Sequence, residues 1–158
     1  MTVNKTVIKK RIATIIATGF GAGFFPKLPG TIGSLWGVLI FFLFRDQYRV
    51  TFDYFLIFLI LLAVWSANEA EKIFGQKDCQ KIVIDEVAGQ LVAYLFVPFS
   101  FPNLVVGFAL FRFFDVVKIF PSRWIQDKVP GGLGVVGDDF TAGMQAGAIL
   151  YFLSLIYT

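Results

Sequence analysis

The chain has 158 residues, of which 57% are hydrophobic, 18% aromatic and only 16% charged, whereas a soluble domain keeps about a quarter of its residues charged. Mean hydropathy is +0.74 and the net charge is +3, so one domain over residues 1–158, in or on a membrane, is the first expectation. With no histidine and the single cysteine Cys79, the chain excludes Ser-His-Asp and Cys-His nucleophile pairs, His-ligated zinc and internal disulfides.

In chain order, residues 1–11 form a basic segment with Lys5, Lys9, Lys10 and Arg11. Such a cluster fits an anionic membrane surface and the positive-inside rule, which places the N-terminus in the cytoplasm. Basic residues scattered among apolar runs make no stripe, so nucleic acid is not an expected partner. The first 25 residues superficially resemble a signal peptide, but Gly19, Gly21 and Gly23 break the apolar part and Pro26 follows, and no cleavage is predicted. In the run 28–44, Leu28–Ser34 reads as a Gly/Pro turn followed by a short helix over Leu35–Phe44. Thr31 or Ser34 could cap that helix.

The run 54–68 is the most apolar, and extended across Asp53 to Val50 it suffices for a span. Residues 69–81 read as a solvated face, with Gly75–Lys81 a polar connection. Pro98, Pro102 and Asn103 divide the run 87–111 into two helices. Pro130-Gly131-Gly132 reads as a flexible turn. The match of Gly132–Gly137 to G-x-G-x-x-G is a coincidence, since no βαβ unit accompanies it. The run 140–158 is the best C-terminal span. The fold class is thus all-α, a compact helical bundle with several short membrane-embedded helices, two to four of them spanning.

Of eleven acids, Asp46, Asp53, Glu69, Glu71 and Asp78 lie in polar contexts and read as solvation. Asp85-Glu86, Asp115 and Asp138-Asp139 are instead embedded in apolar sequence. Burying a carboxylate costs several kcal/mol even after relaxation, and ionisable groups beside membrane helices point to function. Two adjacent acid pairs and a fifth acid, with no histidine, suit a hard cation such as Mg²⁺. The plainer readings are an N-cap for Asp138 or Asp139, a surface step for Asp85-Glu86, and pairing of Asp115 with Arg112 or Lys118 at i−3 and i+3.

Several motifs stand in one order: Gly19-Phe-Gly-Ala-Gly23, Pro29-Gly-Thr-Ile-Gly-Ser34, Ile84-Asp-Glu-Val-Ala-Gly89, Phe111-Arg-Phe-Phe-Asp-Val-Val-Lys118, Phe120-Pro-Ser-Arg-Trp124, and Gly131-Gly-Leu-Gly134 leading to Asp138-Asp-Phe-Thr-Ala-Gly143. Together they resemble the phosphatidylglycerophosphatase A family, Mg²⁺-dependent lipid phosphatases of bacteria. Departures fall at Ile119, Pro130 and Gly137, and none removes a carboxylate or a basic group. The resemblance implies an all-α core that hydrolyses phosphatidylglycerol phosphate to phosphatidylglycerol and phosphate, at the bacterial cytoplasmic membrane with the site on the cytoplasmic side. In the mechanism the residues can support, Asp85, Glu86, Asp138 and Asp139 hold one or two Mg²⁺ ions, Asp139 and Lys118 belong to the catalytic group, and Asp115 joins it by orienting the Arg112 and Lys118 row, binding metal or acting as general base. Arg112, Lys118 and Arg123 neutralise phosphate charge, and Thr31 and Ser34 donate hydrogen bonds to it. Water is the expected nucleophile, because the Asp-x-Asp-x-Thr pattern of aspartyl-phosphate enzymes is absent. The alternative is a non-catalytic membrane protein using its acids as an ion path. No internal repeat of the kind transporters carry is visible.

Overall fold

Proline and glycine positions decide where the charge-free runs become helices. A computed structural model describes residues 2–47 and 49–157. Its α-helices are α1 (Thr2–Ala17), α2 (Pro29–Leu43), α3 (Arg49–Phe74), α4 (Ile84–Ala93), α5 (Phe101–Val117), α6 (Ser122–Lys128) and α7 (Gly131–Tyr157), with one 3₁₀ turn at Ala22–Phe24 and no strand among the described residues. The division of 87–111 follows the prolines. Ser100 caps α5, its hydroxyl accepting the Asn103 backbone N–H at 3.2 Å. Pro102 stands in the first turn of α5, where a missing N–H costs no helical hydrogen bond.

Two expectations are corrected. Helix α2 begins at Pro29, so the segment read as a turn supplies its first turns. Proline is favoured at the first helical position, and the glycines behind it serve close packing. A Cβ on Gly33 would stand 2.8 Å from the Val83 carbonyl oxygen, and one on Gly37 2.7 Å from the Gln90 Cβ. Likewise, the glycine-rich stretch before Asp138 is no flexible turn but the start of α7. A Cβ on Gly132 would lie 2.0 Å from the Val64 carbonyl oxygen of α3. Asp138 and Asp139 are therefore interior helix residues, not caps, and their backbone N–H groups are not free for a ligand.

Helix α4 is the hub, flanked by α2, α3, α5 and α7. Every residue from Ile84 to Ala93 except Glu86 is buried. Glycines let α7 cross it closely. A Cβ on Gly89 would meet the Asp139 carbonyl oxygen at 2.7 Å, and one on Gly143 the Gly89 carbonyl oxygen at 2.3 Å. At the other end of α4, Tyr94 stacks on Phe41 of α2 with ring centroids 4.2 Å apart, and its hydroxyl donates to the Leu104 carbonyl of α5 at 2.7 Å.

Helices α3 and α7 are long and apolar enough to cross a membrane, each about 40 Å at 1.5 Å per residue. On α3, Phe52, Leu56, Leu59 and Ala63 face the bundle, while Tyr54, Ile57, Phe58 and Leu61 form an exposed stripe at helical spacing. A stripe of that size suits hydrocarbon better than water. Cys79 is free and buried, as expected of an inert packed thiol.

Candidate active site

The hub helix carries the site at its N-terminus. Ile82, Val83 and Ile84 are buried, and the Val83 N–H donates to the Ala17 carbonyl at 2.8 Å, which anchors the start of α4 against α1. Asp85 and Glu86 occupy the first turn of α4, where the helix dipole favours negative charge. Asp139 enters from α7 across the Gly89 contact. One carboxylate oxygen from each of Asp85, Glu86 and Asp139 lies within 4.8 Å of the other two. Gly30 forms the wall beside them, since a Cβ there would stand 2.4 Å from Glu86 Oε1.

This cluster is electrostatically incomplete on its own. Asp85 and Asp139 are 5% and 3% exposed. Asp85 Oδ1, Glu86 Oε2 and Asp139 Oδ2 are buried without a hydrogen-bond partner among the described residues. Burial lifts the Asp85 carboxyl well above the ordinary range, and the charges of Glu86 and Asp139 lift it further. Burial also pushes Glu86 up to about 7, against a hydrogen bond with Asp85 that acts in the opposite sense. Converging, unpartnered, hard oxygen donors are what a divalent cation of the Mg²⁺ class needs, so the residues present fit one.

Basic residues stand next to the acids. Arg112 Nη1 donates to the Asp115 carboxylate and, at 3.2 Å, to Ser34 Oγ. Ser34 in turn donates to the Gly30 carbonyl at 3.0 Å, so its proton is committed and its role here is to hold Arg112. Asp115 pairs with Arg112 but not with Lys118. Helix α5 ends at Val117, and Lys118 turns away in the left-handed region with φ 49°. Lys118 Nζ instead reaches Asp138 Oδ2 of α7 at 2.5 Å. Burial opposes the Lys118 charge, but the carboxylates of Asp138, Asp139 and Asp78 outweigh it and hold the ammonium protonated. Of the four predicted metal ligands, the structure therefore gathers three and ties Asp138 to Lys118.

Thr31 lies on α2 three residues before Ser34, half-buried, and makes no side-chain hydrogen bond among the described residues. Arg123 is exposed on α6, which is joined to α7 by the Ser122 and Thr141 hydroxyls 2.7 Å apart. Sequence reading missed a polar strap behind Lys118. The Asp78 carboxylate, read as mere solvation, accepts from Gln126 Nε2. The Asp78 backbone N–H donates to Glu71 at 2.8 Å, and Lys77 Nζ donates to the Gln126 carbonyl at 2.7 Å. Gln126 lies about fifty positions from both Lys77 and Asp78, and no local pattern announces that pairing.

An acidic trio that would hold a divalent cation, beside a guanidinium and an ammonium, suits the binding of a phosphomonoester. Comparison with known proteins gives this chemistry a family. The family model of phosphatidylglycerophosphatase A matches residues 15–154. The chain is 31% identical over 156 residues to a phosphatidylglycerophosphatase A of Escherichia coli K12, covering 95% of this chain and 91% of that one. It is 33% identical over 141 residues to a protein of the same name from Haemophilus influenzae, covering 87% and 85%. It is also 35% identical over 143 residues to a Bacteroides thetaiotaomicron protein provisionally described as a phosphatidylinositol-3-phosphatase, covering 85% and 89%. No solved structure matches the chain.

Proposed function

The chain belongs to the phosphatidylglycerophosphatase A family, and from that membership and the geometry above we propose that it hydrolyses phosphatidylglycerol phosphate with Mg²⁺ bound by Asp85, Glu86 and Asp139. It is a phosphoric monoester hydrolase acting on a lipid. The observation that supports the metal reading is the convergence of three carboxylates, each of which has one buried oxygen with no hydrogen-bond partner among the described residues. A cation held there supplies charge neutralisation at the phosphate and a lowered pKa for bound water.

The chain's own residues do the rest. Arg112 on α5 and Lys118 just past its end face the acids and take up phosphate charge as it moves toward the leaving oxygen. Ser34 keeps Arg112 in place, and Asp138 keeps Lys118 charged and oriented. Arg123 and Thr31 contribute to phosphate binding from the rim. Water attacks phosphorus, and Asp115, close enough to Glu86 to act on its charge, takes the proton. The bond from phosphorus to the glycerol oxygen breaks, the oxygen keeps the electron pair and acquires a proton from solvent, and phosphate and phosphatidylglycerol leave.

The protein works in the bacterial cytoplasmic membrane with its site on the cytoplasmic side. Lys9 Nζ pairs with Glu69 Oε2 at 3.0 Å, so the basic N-terminal helix borders the charged end of α3. Purified protein in detergent should release phosphate from phosphatidylglycerol phosphate in Mg²⁺ and stop in excess EDTA. Undiminished turnover in EDTA defeats the metal assignment. Phosphate release from phosphatidylinositol 3-phosphate alone defeats the headgroup assignment.

A further inference from the structure

Two segments beside the site combine exposed aromatic and aliphatic side chains with unfavourable backbone. The first, residues 19–28, ends one residue before the Pro29-Gly30 wall. Phe20 is 83% exposed and Leu28 71%. Both residues lie in the left-handed region at φ 57°. The second, residues 116–124, continues directly from the Arg112–Asp115 pair. In it Phe120 is 76% exposed and Trp124 54%, and Lys118 is again left-handed at φ 49°. Non-glycine residues rarely adopt positive φ, and where they do the site is commonly functional. Three of the four such residues among those described fall in these two segments.

The segments adjoin the two elements that meet at the site, α2 through Gly30 and α5 through Arg112. Arg112 Nη1 would lie 3.4 Å from a Cβ on Gly30. Leu28 is two residues before Gly30, and Val116, itself exposed, is one helical turn beyond Arg112. The second segment is fixed to α7, with Gln145 Nε2 donating to the Phe120 carbonyl at 2.9 Å. Each segment also carries an exposed cation among its apolar residues, Lys27 in one and Arg123 in the other. Aromatic residues interleaved with cations suit the plane of anionic headgroups.

We infer that residues 19–28 and 116–124 are a pair of lips that enter the leaflet and hold the acyl chains of the lipid whose phosphate lies at the carboxylate trio. This rests on the lipid-phosphatase reading and adds to it the part of the protein that recognises the diacylglycerol. Leu28 and Phe120 then set affinity for long-chain substrate, and the phosphate chemistry proceeds without them.

The test compares dioleoyl phosphatidylglycerol phosphate in vesicles with the dihexanoyl lipid below its micelle concentration. Leu28→Ser and Phe120→Ser should each lower kcat/KM on the long-chain lipid by about tenfold, the worth of one partly buried apolar side chain. Activity on the short-chain lipid should stay within about twofold. Equal losses on both lipids, or none on either, overturn the lips. A second measurement uses Trp124 as the sole tryptophan, with Trp36→Phe and Trp65→Phe. Its fluorescence should be quenched by brominated acyl chains, and quenching by aqueous iodide alone overturns the lips. If the wild type releases phosphate from neither lipid, the phosphatase reading fails, and the quenching result still decides whether the lips enter the leaflet.

Discussion

Replacing Gly30 with alanine separates the site from the fold. The new Cβ would stand 2.4 Å from Glu86 Oε1, 3.2 Å from Glu86 Cδ and 3.4 Å from Arg112 Nη1. Ordinary contact begins near 3.4 Å, so the carboxylate has to retreat by 3.4 − 2.4, about 1 Å. That retreat is easy for the end of a flexible side chain, and alanine favours the helix over glycine, by less than the roughly 1 kcal/mol of a helix interior because Gly30 lies in the first turn. Stability should therefore hold or rise. Chemistry should not hold, because Glu86 leaves the trio's common centre and crowds Arg112. A misplacement of about 1 Å is worth on the order of a hundredfold in rate. The assay pairs phosphate release with a thermal melt followed by tryptophan fluorescence. Gly143→Ala is the control of opposite kind. Its Cβ would meet the Gly89 backbone oxygen at 2.3 Å, which cannot swing aside. It should lose about 1–3 kcal/mol of stability, a fall of about 2–4 °C in Tm per kcal/mol for a chain of this size. A Gly30→Ala protein with unchanged melting and near wild-type turnover would refute the placement of Glu86 in the reacting site.

Further outcomes follow from the same charges. Asp85 and Glu86 have carboxyls raised in the folded state, so each contributes stability at low pH that is lost as pH rises, and for Glu86 the loss runs from about pH 4.5 to about 7. Melts in EDTA should fall across that window, by up to about 3 kcal/mol from Glu86, and Mg²⁺ should restore stability at its upper end. A flat profile in EDTA would contradict the burial argument. Lys118→Met should strand the buried Asp138 carboxylate and cost about 2–3 kcal/mol, below the range for a fully buried pair because the lysine side chain is 25% exposed. Adding Asp138→Asn to Lys118→Met should recover stability in the melt but not phosphate release. Recovery of both would remove Lys118 from the chemistry.

Much of this molecule is written locally. The acids of the trio announce themselves because each interrupts apolar sequence, and Pro98 and Pro102 mark the break between α4 and α5. Glycine is where local reading goes astray. Gly30, Gly33 and Gly132 look like turn formers, yet each lies in a helix whose neighbour comes too close for a Cβ. The distinction depends on a partner far away in sequence. The same holds for Lys118. Its spacing suggests a row with Arg112 and Asp115, but the helix stops one residue earlier and the side chain crosses to Asp138. The strap from Asp78 to Gln126 has no sequence signal, because a carboxylate in a polar loop and an amide on a short polar helix look solvated until the chain brings them together.

That α4 is at once the core and the bearer of two site carboxylates limits how this protein can diversify. A change in its backbone position disturbs every helix packed on it, so the reacting centre cannot be retuned piecemeal. Relatives that bear names for different headgroups, glycerol phosphate in one and inositol in another, can then differ in preference only through the periphery. The interior becomes a fixed tool, and selectivity a matter of what surrounds its opening.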